Sequence, residues 1–238
     1  MNPSDDIRRA AELADAWAST RDRCLAIGRS LTDVDAGAIV PCCPEWTIHD
    51  LFAHMAGVSA DICDGNTAGA TTDAWTDAQV SARRDRSLAE VCDEWTDRGA
   101  VVERMIRAGG PFPPPFFIDA FTHEWDLRHA VGAVAEPDRS LLATALPGLV
   151  TTWGSRLDES GLAAVDLTLG DSVSTVGSRA PAIGLRVDPF TFVRARLGRR
   201  SRAQIAGLDW GPGVDPGHID TLLVFGIAAT DIDDPALV

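Results

Sequence analysis

Apolar residues recur at helical spacing from the first turns of the chain. Ile7, Ala10, Ala11, Leu13, Ala14, Trp17 and Ala18 fall three and four apart, and Ser4 ahead of Asp5 and Asp6 supplies an N-cap. The pattern predicts a helix over 4–31. Two prolines in AGAIVPCCPEWT then break the period. A second helix is predicted from Thr47, whose hydroxyl can cap it while Asp50 favours the first turn, to a stop at Gly65 and Asn66. NTAGATTDAWTDAQ reads as a loop, or a loop with a short helical piece. A third helix is expected from a cap near Ser87 to Gly109 and Gly110. The proline cluster PFPPPFF forces an extended turn. A fourth helix then carries DAFTHEWDLRHAVG and ends near Gly132. DRSLLATALPGLVTTWGSRLDESG is helical again, with Pro147 expected to kink or split it.

After Gly161 the pattern changes. AAVDLTLG alternates like a strand, SVSTVGS is short and β-prone, and APAIGLRVD continues the strand character. PFTFVRARLG and RRSRAQIAGLDW look like two short helices meeting near Gly198, and IDTLLVFGIAATD like a last apolar helix. The reading is mainly α: a four-helix bundle over residues 1–160, then a small α+β domain over 161–238.

Composition is that of an ordinary globular protein, with 45% hydrophobic and 24% charged residues. The formal net charge of -14 argues against nucleic acid or an anionic membrane surface as a partner. The one basic cluster, Arg194 to Arg202, could suggest a helix-turn-helix, but the net charge and the short second helix oppose it. It is expected to form a solvated face, or a patch that attracts carboxylates. No apolar run approaches the ~20 residues of a membrane span, and the charged N-terminus lacks a secretory core, so a cytoplasmic location is expected. Every basic residue is Arg, a usage typical of high-GC bacterial genomes. Five cysteines without CxxC spacing do not make a disulfide framework, and Cys42 and Cys43 are taken as incidental. No glycine pattern has the strand-to-helix context of a phosphate-binding loop.

The chemistry concentrates in the fourth helix. At 100° per residue, Asp119 and His123 lie one above the other within about 40°, and Asp126 follows on the same stripe. Glu124 sits off it, and His129 is displaced by about 80°. His54, flanked by Leu51 and Val58, faces inward from the second helix, whereas His49 falls elsewhere on the wheel. One carboxylate and two imidazoles from facing helices form the open three-ligand set used by catalytic zinc. The same residues could be a helix ion pair and a hydrogen-bonded core histidine, and the pattern leaves both open. A 2-His-1-carboxylate set also suits non-haem iron. Asp126 could orient a ligand from behind, or bond Arg128 or backbone. Arg83 and Arg84 are candidates to meet an anionic substrate, or simply exposed arginines.

The segments CPEWTIHDLFAHMAGV, DAFTHEWDLRHAVG and LGRRSRAQIAGLDW, in this order, resemble the mycothiol-dependent maleylpyruvate isomerase family, a branch of the DinB-like metal-binding four-helix bundles. The resemblance implies that His54, Asp119 and His123 hold a divalent metal, zinc in kind, and that mycothiol is the thiol cofactor. The isomerase carries Glu at the acid position, where this chain has the shorter Asp119. The implied activity is isomerisation or S-conjugation of an electrophilic small molecule through a metal-bound thiolate. The competing class is a non-catalytic bundle that binds metal or thiol.

Overall fold

The computed structural model describes residues 3–235, with the side chains of Pro3 and Ser4 outside the described set. The capping role expected of Ser4 therefore lies outside the described residues. Backbone contacts divide the chain into two units, Met1–Leu141 with Asp234–Val238, and Leu142–Asp233.

In the first unit, α1 (Pro3–Gly28), α3 (Ile48–Asp64), α5 (Leu88–Arg107) and α6 (Pro114–Val131) make the expected four-helix bundle. Each helix touches two neighbours: α5 packs on α3 and α1, and α6 on α1 and α3. Leu25, Leu51, Phe52, Met55, Val91, Trp95 and Leu127 fill the core, with Phe52 and Trp95 edge to face at 6.0 Å. The caps act as the residue pattern predicts. Thr47 and Asp50 form a capping box at the start of α3, and Ser87 and Glu90 form one at the start of α5. Gly65 and Gly132 close α3 and α6 in the left-handed conformation, at φ 73° and 67°.

Three local expectations change. The first helix stops at Gly28, and the short helix α2 (Asp33–Ala36) follows. The proline-broken stretch is a hairpin, β1 (Ile39–Val40) against β2 (Cys43–Thr47), with Pro41 and Cys42 in the turn. The fourth helix begins inside the proline cluster, because Pro114 and Pro115 occupy the first turn, where no amide hydrogen is required. Between α3 and α5 the short helical piece is α4 (Asp73–Ser81), capped by Thr72.

The second unit holds most of α7 (Arg139–Glu159), which is not split by Pro147. A four-stranded sheet follows, in the order β4-β3-β5-β6: β4 (Ser172–Val176), β3 (Ala164–Leu169), β5 (Pro181–Val187) and β6 (Asp209–Trp210). Only the β3–β5 pair is parallel. Trp153 of α7 packs against Phe192 and Trp210, at 5.9 and 6.3 Å between rings. The short helices α8 (Pro189–Arg196), α9 (Arg202–Ala206) and α10 (Pro216–Leu222) complete the unit.

The last helix is shorter and earlier than its apolar run suggests. Asp215 caps it and Pro216 opens it. Beyond Leu223 the amides of Val224 and Ala228 bond the carbonyls of Arg196 and Arg200 instead of continuing the helix. Gly198 allows this approach, since a Cβ there would come within 2.1 Å of the Gly226 carbonyl. The solvated face expected of the basic cluster is corrected by the same packing. Arg194 and Arg196 are fully buried. Arg196 donates to the Thr152 hydroxyl and the carbonyls of Thr221 and Leu222. Burial, with the nearby Arg156 charge, pulls its guanidinium down to about 9. Among the described residues, no helix is long and apolar enough to cross a membrane.

Glu124 is off the Asp119 stripe, as the wheel predicts, but it is buried. It accepts from Arg23 of α1 through both oxygens, at 2.7 Å each, and from Arg128 Nε at 2.9 Å. Removing one partner of a buried ion pair strands the other charges. Glu124→Ala should therefore cost about 3–5 kcal/mol in urea unfolding; a cost under about 1 kcal/mol would place the pair among surface-type bridges.

Candidate metal centre

Helix α6 brings Asp119 and His123 to one face by their four-residue spacing, and α3 presents His54 opposite them. His54 Nε2 and His123 Nε2 each lie 3.5 Å from the same oxygen, Asp119 Oδ1. The two imidazoles stand edge to face, 5.1 Å between centroids. Trp46, at the end of the hairpin, lies over both rings at 5.1 and 5.6 Å. The histidine side chains keep 5% and 9% of their surface, whereas Asp119 keeps 34%. The carboxylate is thus the side from which a further ligand can enter.

Each ring is fixed from behind. His54 Nδ1 meets Gln79 Oε1 at 2.9 Å, and His123 Nδ1 meets Asp126 Oδ2 at 3.1 Å. Both partners accept, so both Nδ1 atoms donate and the Nε2 lone pairs face Asp119 whenever the rings are neutral. Gln79 Nε2 in turn donates to Asp61 Oδ2 at 2.7 Å, which fixes its amide with the oxygen towards His54. Cys43 Sγ approaches the same Asp126 oxygen at 3.4 Å.

The spacing within the trio separates two chemistries. Direct hydrogen bonds between imidazole and carboxylate fall at about 2.7–3.2 Å. Donor atoms bound to one tetrahedral ion at about 2.0–2.1 Å stand about 3.3–3.4 Å apart. Both contacts to Asp119 Oδ1, at 3.5 Å, sit with the second class. Electrostatics agrees with a cation here. Burial alone would raise Asp119, but the charges of His54 and His123 beside it outweigh burial and hold the carboxyl well below the usual carboxylate range. Burial would lower His123, yet Asp119, with hydrogen bonds to Asp126 and Cys43, carries it well above its ordinary value. Asp119 therefore draws a proton onto His123 when no other cation balances it.

The fold and the facing donors define a helical-bundle protein with a candidate metal centre. The model of the mycothiol maleylpyruvate isomerase N-terminal domain matches residues 13–157, and the chain belongs to that family. Among solved structures it is similar to a mycothiol-dependent maleylpyruvate isomerase, with a TM-score of 0.56 and 16% identity over 91% of this chain and 98% of that one. A mutant of that enzyme with one histidine replaced by alanine gives a TM-score of 0.57 at the same identity and coverage. At this identity the likeness establishes a common fold. No curated protein matches the chain.

The structure brings His54, Asp119, His123 and Asp126 together. Arg83, a candidate to meet an anionic substrate, is held by other partners. Arg83 is buried and donates to both oxygens of Glu94, at 2.9 and 2.7 Å, and to the Gln79 carbonyl at 2.9 Å. Its guanidinium anchors the end of α4; Arg84 beside it is exposed. No periodicity in the sequence marks Gln79, because α4 has no strong apolar period. The available signal was Gly57 on α3, one turn from His54. A Cβ at Gly57 would fall 2.5 Å from Gln79 Cβ. Gly57→Ala should push α4 away and cost about 1–3 kcal/mol in urea unfolding. Unchanged stability would show that α4 does not depend on this close approach.

Proposed function

We propose that this chain is a metal-dependent enzyme that uses mycothiol to isomerise or S-conjugate an electrophilic small molecule. The observation that carries the reading is the pair of 3.5 Å separations from Asp119 Oδ1 to two Nε2 atoms whose rings are fixed from behind. Family membership supports the thiol and the reaction class.

The donor set fits a divalent ion such as Zn²⁺: His54, Asp119 and His123 would hold it, and Asp126 and Gln79 would orient the ligating rings. Bound there, with only one carboxylate to offset its charge, the ion would lower the pKa of an incoming thiol and attract anionic groups. The protein's own residues do the rest. Asp119 leaves the approach open, Trp46 covers the rings with apolar surface, and Gln79 and Asp126 keep both Nδ1 protons away from the reacting side. The thiol sulfur would add to an electrophilic carbon of the substrate. Release of the thiol after rearrangement is isomerisation; retention of the carbon–sulfur bond is conjugation.

His54→Ala should remove one equivalent of bound zinc by elemental analysis and abolish mycothiol-dependent consumption of maleylpyruvate or a comparable electrophile. Full zinc content in that variant would remove His54 from the centre. Zinc-loaded parent protein that consumes no electrophile with mycothiol would favour the non-catalytic class. Gln79→Ala, which leaves all three donors in place, should weaken zinc binding about 10–100-fold; an unchanged affinity would reduce Gln79 to a packing role.

A further inference from the structure

A second set of donors lies in the same unit, outside the centre described above. Cys42, His129 and Asp234 bring one ligand atom each within 4.8 Å of the others, and all three are half-buried. They come from three separate segments. Cys42 is in the turn between β1 and β2, His129 in the last turn of α6, and Asp234 in the C-terminal segment. That segment is tied to the unit by backbone as well, since the Ala135 amide donates to the Pro235 carbonyl at 3.2 Å. His129 Nδ1 is buried with no hydrogen-bond partner among the described residues.

We propose that Cys42, His129 and Asp234 form a second metal site, structural in role, that takes Zn²⁺ through a thiolate, an imidazole and a carboxylate. The donor chemistry distinguishes it from the first centre. A thiolate and a carboxylate together neutralise a divalent ion, whereas the first centre offers a single negative charge. The softer sulfur donor also selects zinc over magnesium or calcium. The adjacent cysteines, one in the turn and one opening β2, serve different sites. Cys43 turns to Asp126 behind the first centre, and Cys42 turns to His129 and Asp234. A metal here joins the hairpin, α6 and the C-terminal segment, so its binding free energy becomes stability of the unit.

The test uses the full metal-free chain titrated with Co²⁺ and then with Zn²⁺. Two equivalents should bind, and one should give the near-ultraviolet thiolate-to-cobalt charge-transfer band. Cys42→Ser should lose the band and one equivalent, while Cys43→Ser keeps both. His54→Ala should lose the other equivalent and keep the band, so this site is read separately from the one that carries the proposed activity. Asp234→Asn should weaken zinc binding at this site by more than the about 10–100-fold that loss of an outer-shell partner costs. It should also reduce the rise in Tm that zinc loading gives the parent chain. No thiolate band in the parent chain, a band that follows Cys43, or Asp234→Asn with parental zinc affinity would each overturn the proposal.

Discussion

A single carboxylate oxygen, Asp119 Oδ1, shared between two imidazole nitrogens, sets the constraint that the rest of the first unit satisfies. A charge in that position needs a compensating charge, and the two rings can supply it only if their orientation is fixed. The bundle fixes them through a chain of polar contacts. Glu94 on α5 holds Arg83, Arg83 holds the end of α4 through the Gln79 carbonyl, and Gln79 holds His54. On the other side Asp126 holds His123. The bare backbone of Gly57 gives α4 the space to take part.

Two consequences follow for the chemistry. First, the orienting groups differ. A neutral amide stands behind His54, and a carboxylate stands behind His123. A carboxylate behind a ligating imidazole raises its basicity as a ligand. Second, Asp119 is the one donor of the three that is not buried, so a further ligand must enter on its side.

The bundle and the donor trio were legible in the sequence because both depend on helical spacing. Thr47 and Asp50 mark the start of α3, Gly132 marks the end of α6, and a four-residue interval stacks Asp119 over His123 whatever surrounds them. His54 needed only its inward stripe. What could not be read depends on partners distant in sequence or on short elements. Arg83 looks like a free cation until Glu94 meets it across a turn. Arg196 looks solvated until the chain around Thr221 to Val224 meets it. Cys42 and Cys43 look incidental because a two-residue turn separates strands too short to show alternation. Asp234 shows no periodicity at all.

The centre itself is tested most directly by X-ray absorption on Cys42→Ser protein loaded with one equivalent of zinc, before and after addition of mycothiol. The expected first shell is nitrogen and oxygen only, at about 2.0–2.1 Å, with one sulfur appearing at about 2.3 Å when the thiol is added. A sulfur neighbour before the thiol is added, or none after it, would contradict a centre made of His54, Asp119 and His123 that binds the thiol at its open side.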